Sequence, residues 1–223
     1  MKKKVFYEEF AYIFGLIILT IGVALMEKAD FGVSMVVAPA YLFSLRFSFM
    51  SFGMAEYLLQ AVLLIIMCIA LLRFKVQYLF SFVTAVIYGF ILDGVMLLAA
   101  FLPSHAIALR IVWYVLGVIL CSLGISLLIK TYLPPEVYEL IVKEVSNRFN
   151  FKISRVKNIY DIASLLTAVG LSYLLLGKLE GVGIGTLVCA LINGTIIGFI
   201  TKLIDKRFVF KPRFIKLKEF FSK

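Results

Sequence analysis

Six apolar runs, each about as long as a bilayer is thick, constrain this chain more than any other feature. They lie at about 10–27, 54–72, 77–102, 107–129, 158–177 and 183–204. A helix needs about 20 mostly apolar residues to cross the hydrocarbon core. Every backbone polar group in hydrocarbon must be paired within the protein, so each run is expected to be helical. No alternating pattern offers a barrel instead. The expected fold class is an all-α transmembrane six-helix bundle. The apolar share, 63%, exceeds the roughly 45–50% of soluble domains.

The net charge of +10 raises the question of nucleic acid, and its placement answers it. The cations sit between apolar runs and at the ends, and they form no basic face on a soluble fold. With the N-terminus inside, 19 of the 23 Lys and Arg fall in inside segments. These include Lys2, Lys3 and Lys4, then Arg73 and Lys75, six between the fourth and fifth runs, and eight from Lys202 onward. Only Lys28, Arg46, Arg110 and Lys178 fall outside. That asymmetry predicts cytoplasmic N- and C-termini. The first run is longer than a signal-peptide core and lacks a small-x-small cleavage site, so it reads as a retained helix.

Two connectors are unusual. Residues 31–45, FGVSMVVAPAYLFSL, carry no charge and are too short to span. They read either as a re-entrant piece on the outer side or as an apolar loop over the helix ends. In 134–149, PPEVYELIVKEVSNRF, Val137, Leu140, Ile141 and Val145 recur at helical spacing. Two prolines suit a first turn, and an amphipathic helix on the cytoplasmic face is expected. The basic tail, 208–223, is expected either to lie on anionic headgroups or to be a disordered topology signal.

The chain repeats itself at an offset of about 102–105 residues. Gly15 and Gly22 match Gly117 and Gly124; Arg46-Phe47 matches Arg148-Phe149; Tyr57 matches Tyr160. TAVIYG (84–89) aligns with CALING (189–194). Each half holds three runs, an odd number, so the second half enters from the opposite side. Two inverted three-helix repeats follow, at 1–105 and 106–207, as in many alternating-access transporters. Gly15, Gly22, Gly117, Gly124, Gly89, Gly194 and Gly198 are expected to permit close helix packing.

Ala190, Gly194 and Gly198 form a small-residue stripe whose counterpart in the first half is Ala85, Gly89 and Asp93. An acid on that stripe is expensive, at least ~2.5–3.5 kcal/mol on insertion scales. Asp93 is therefore the expected proton or cation site at the repeat interface, with Asn193, Tyr88 and Thr84 as neutral partners; the alternative is a structural hydrogen bond. Glu56 and Gln60 near the outer end of the second run, and Asn158, Tyr160 and Asp161 near the inner end of the fifth, either line vestibules or reach headgroups as interfacial residues.

Other chemistry finds little foothold. Cys68, Cys121 and Cys189 are dispersed in apolar runs without a CxxC pair, so neither disulfides nor a metal is expected. His105 is the only histidine, and a lone histidine makes no zinc site. GVGIGT (181–186) lacks a preceding strand and a P-loop lysine. No paired nucleophile and base suggests an enzyme, and no cofactor is implied.

The stretches GVALMEKADFGVSMVVAPAYLFS, YGFILDG and GVGIGTLVCALINGTIIGF, spread over nearly the whole chain, resemble the YczE/YyaS/YitT-like family of bacterial integral membrane proteins, and most closely its YczE-like branch. The resemblance implies a multi-pass protein of the bacterial cytoplasmic membrane without an assigned activity, and carries over no site residues. The expected function is a small-solute secondary transporter or exporter of unknown substrate. The alternative is a non-transporting scaffold that recruits a soluble partner. The expected partners are the lipid bilayer and a solute, with no nucleic acid; homo-oligomerisation stays open.

Overall fold

A computed structural model describes residues 3–221. Lys2 and the last two tail residues, Ser222 and Lys223, lie outside the described residues. Six helices are long and apolar enough to cross a membrane: α1 (Glu8–Ala29), α3 (Phe52–Leu71), α4 (Val76–Ala99), α5 (Ile107–Leu128), α7 (Ile153–Leu176) and α8 (Ile184–Arg207). Between them stand two short helices, α2 (Ala38–Arg46) and α6 (Val137–Phe149). The bundle wears its apolar side chains outward, with Ile69, Phe90, Leu174 and Leu191 exposed, and buries Glu56, Gln60, Thr20 and Ser122. That inversion is what lipid on the outside demands.

The longest seam runs between α1 and α5, and paired glycines set it. A methyl group added at Gly22 would come within 2.6 Å of Cys121 N and 2.8 Å of Gly117 O. One added at Gly124 would come within 2.8 Å of Gly15 O. Backbone therefore lies on backbone at both crossings. The two contacts, Gly15 with Gly124 and Gly22 with Gly117, exchange into each other under the internal sequence alignment. Around the seam, α4 packs on α1 and α8 on α5, while α2 and α6 each pack on both α3 and α7.

The first half is tied more tightly. Gly53 on α3 meets Gly89 on α4, where an added methyl at Gly89 would lie 2.6 Å from Gly53 O. The expected counterpart on α8 is different. Nothing lies within 4 Å of a methyl placed at Gly194 or Gly198, so these two glycines face outward and make no close helix contact.

Two further expectations change. The N-terminal half of α6 does not lie on the surface: Val137, Tyr138, Leu140 and Val142 are buried, against α3, α4 and α7. The tail is folded back onto the N-terminal segment, so it is ordered and not the disordered topology signal. Strand β2 (Phe208–Lys211) pairs in parallel with β1 (Lys4–Tyr7), which brings both ends of the chain to one side of the bundle, as an even number of crossings requires. Glu9 accepts hydrogen bonds from Arg213 N (2.9 Å), Phe214 N (3.0 Å) and the Tyr132 hydroxyl (2.8 Å). Burial, and then Glu9 itself, raise the Tyr132 hydroxyl above its usual range, so it stays a donor. The last helix, α9 (Ile215–Phe221), sets Phe221 against Phe80 and Tyr132.

The seam makes a clean contrast measurable by thermal unfolding in detergent. Gly22→Ala is expected to destabilise by about 1–3 kcal/mol through overpacking. Gly194→Ala, on open surface, is expected to stay within about 0.5 kcal/mol of wild type.

Candidate functional site: a buried acid pair at the start of α6

The depth of α6 follows from its partners. Gln60 is the ninth of the 20 residues of α3, about 12 Å along its axis at 1.5 Å per residue. Its Oε1 accepts the Val137 N–H at 3.0 Å. The start of α6 thus sits halfway along a spanning helix. Such an end exposes N–H groups with no helical partner, and the preceding Pro134 and Pro135 lower the burden because they carry none. Thr84 Oγ1 lies 3.0 Å from both the Pro134 and the Phe80 carbonyls, which can each accept from it, and 2.6 Å from the Tyr12 hydroxyl, to which it is hydrogen-bonded.

The other end of the Gln60 amide holds two acids. Its Nε2 donates to Glu136 Oε2 (3.3 Å) and to Glu56 Oε2 (3.4 Å). The Tyr138 hydroxyl donates to Glu56 Oε2 at 2.8 Å. Glu56 is 0% and Glu136 5% exposed. Their remaining oxygens, Oε1 of each, have no hydrogen-bond partner among the described residues. Tyr88 is buried beside them, within electrostatic reach of both. The cation on the adjoining helix, Lys157, is engaged with Asp161 at 2.9 Å. Two buried carboxyl groups here share one neutral amide and no ion-pair partner, an arrangement whose desolvation cost calls for a compensating positive charge.

Of the residues expected at the site, the structure gathers Glu56, Gln60, Thr84 and Tyr88 around the α6 entry. Tyr160 joins them through its ring, 6.4 Å from that of Tyr138. Asp161 is one residue further on, in its ion pair, and Asn158 is exposed. Asn193 goes elsewhere, accepting from Ser122 Oγ at 2.7 Å on α5. Asp93 makes none of these contacts. It stands beside the start of α3, accepting from Gly53 N (2.7 Å) and Ser51 Oγ (2.5 Å), and Ser51 in turn caps Met54 N. A carboxylate against free N–H groups at a helix N-terminus is a cap and a dipole partner.

Glu136 and Tyr138 were not among the expected site residues. The helical spacing of Val137, Leu140, Ile141 and Val145 leaves Glu136 off the apolar stripe, which is why sequence reasoning missed it. At the end of the bundle where α1 and α4 finish, a cavity of about 340 Å³ is lined by Glu27, Lys28, Asp30, Tyr41, Met96 and Ala100. A second, about 270 Å³, shares Glu27, Asp30 and Tyr41 and extends to Gly181–Ile184.

Two substitutions separate the roles. Asp93→Ala is expected to cost about 0.5–2 kcal/mol as a lost cap. Gln60→Leu is expected to cost about 1–3 kcal/mol or more, because it strands a buried N–H and two carboxyl groups. Hydrogen exchange should accelerate at 53–56 in the first variant and at 137–140 in the second.

No curated protein and no solved structure matches the chain. A family model covers residues 6–202, which takes in all the elements that build the site and leaves out most of the folded tail. The chain belongs to the family of unknown function DUF6198.

Proposed function

We propose that this membrane protein is a small-solute secondary carrier of the bacterial cytoplasmic membrane. Its two inverted halves, 1–105 and 106–207, move against each other about the glycine seam of α1 and α5. The observation that carries this reading is the pair of short helices, one in each half. Both α2 and α6 pack on α3 and α7, so each is held by a helix of its own half and one of the other. Carriers built from inverted repeats place their sites at broken helices on the repeat interface. The exchange of Gly15–Gly124 with Gly22–Gly117 supports a two-fold relation between the halves. The resemblance to YczE/YyaS/YitT-like proteins supports the bacterial membrane. The outer cleft at Glu27 and Tyr41 gives a solute an approach from one face, and the polar entry of α6 is the deeper station.

A second reading keeps one observation in its favour. On the folded cytoplasmic tail, Phe214 and Ile215 are 56% and 65% exposed, a surface suited to a soluble partner. The protein would then be a scaffold.

Counterflow in proteoliposomes across a panel of amino acids, amines, sugars and organic acids decides between them. Saturable exchange of one class, lost in Gln60→Leu and retained when residues 212–223 are deleted, is expected. Absence of exchange for every class, with folded protein in sealed vesicles, contradicts the carrier reading. A cellular phenotype abolished by the tail deletion alone favours the scaffold.

A further inference from the structure

We propose that Glu56 and Glu136 form one proton-binding site, in which the pair holds an exchangeable proton on a carboxyl oxygen that no other residue engages. As the coupling ion of transport, that proton rests on the carrier reading; as a bound proton it stands without it.

The geometry selects a proton over a metal ion. Both carboxyl groups are buried, and each leaves Oε1 without a partner. Everything the structure turns towards their Oε2 atoms is a hydrogen-bond donor: Gln60 Nε2 to both and the Tyr138 hydroxyl to Glu56. A cation such as sodium or calcium needs a shell of oxygen lone pairs, and here it would meet N–H and O–H hydrogens. A proton needs one oxygen and no volume. Gln60 cannot rotate to offer its own oxygen, because that atom holds the Val137 N–H.

The surrounding charges do not supply the compensation. Facing the pair are Tyr88 from α4, Cys121 from α5, Tyr138 and Glu139 from α6, and Lys157 and Tyr160 from α7, with Asp161 beyond them against Glu139 and Lys157. Tyr12 of α1 also faces Glu136. Lys157 is the one cation in that group, and it is ion-paired with Asp161 while Glu139 stands near it. The ring of neutral hydroxyls leaves the pair with two acidic groups and one amide. Loading adds a proton from water to one carboxylate oxygen; release returns it to water at the other face. No other bond changes.

The Gln60 bridge connects this site to motion. One amide caps α6 and holds both acids, so a change of charge on the pair is felt at the first N–H of the helix that joins the two halves. Charge and helix position are therefore linked through a single side chain.

The test uses the full-length protein in nanodiscs. It is treated with N,N′-dicyclohexylcarbodiimide, an apolar reagent that adds to protonated carboxyl groups, between pH 5 and 10, and the labelled residue is located by mass spectrometry. Labelling at Glu56 or Glu136 is expected, falling by about tenfold per pH unit above its midpoint. In Glu56→Gln the midpoint for Glu136 should move to lower pH, since the neighbouring negative charge is gone. Infrared difference spectra of the wild type should show a protonated-carboxyl band over the same pH range, which keeps the test independent of whether a variant folds. Absence of that band together with absence of label at both residues overturns the proposal. So does labelling suppressed by sodium at constant pH, which would make the ligand a metal ion. A labelled pair in a protein without counterflow sinks the carrier reading and leaves the proton site standing; counterflow without label does the reverse.

Discussion

A helix that begins halfway across a bilayer must find partners for its first N–H groups, because hydrocarbon offers none. Here that requirement falls on Gln60, which reaches Val137 N from the middle of α3. Its amide has only two hydrogens left, and both go to acids. The position of α6, the burial of Glu136 and the tie between Glu136 and Glu56 are consequences of one polar residue in an apolar run. The chain around it is adapted to the same constraint. Two prolines remove donors from the descent, and Thr84, hydrogen-bonded to Tyr12, lies within reach of the Pro134 carbonyl.

The α1–α5 seam supplies the frame on which these short helices hang. Its glycines let two backbones touch twice, and close backbone contact is how helices gain packing energy where lipid is as apolar as the side chains. The two sides of the frame are not packed alike. Gly89 and Asp93 fasten α4 to α3, whereas Gly194 and Gly198, their counterparts in the alignment, face open space on α8. Related sequences are thus held in two different packings.

Much of this was legible in the sequence. Length and hydropathy place the six spans, because lipid imposes a simple rule on them. The glycine pairs were readable since a repeated spacing survives in otherwise permissive apolar sequence. Asp93 stayed open between an ion site and a structural hydrogen bond, because an acid in an apolar run looks the same whether it faces a cavity or caps a neighbouring helix. Only the contact with Gly53 and Ser51 distinguishes the two. The depth of α6 was hidden for a similar reason. Val137, Leu140, Ile141 and Val145 give the same helical spacing on a helix lying on a surface and on one that dips into a bundle. Burial that fades along the axis, from Val137 to exposed Asn147 and Arg148, has no periodic signature. The order of the tail was not legible, because its partners, Glu9 and the β1 strand, lie some 200 residues away in the chain.

The central claim is that α6 starts inside the bundle and emerges to an exposed C-terminal turn, and thiol accessibility tests it most directly. In a background in which Cys68, Cys121 and Cys189 are replaced by alanine, single substitutions Glu136→Cys, Leu140→Cys, Lys143→Cys and Asn147→Cys are exposed to a membrane-impermeant maleimide in inside-out vesicles. The account predicts fast labelling at 143 and 147 and protection at 136 and 140. Equal labelling at 136, 143 and 147, the polar face of a helix lying flat on the membrane, would contradict it.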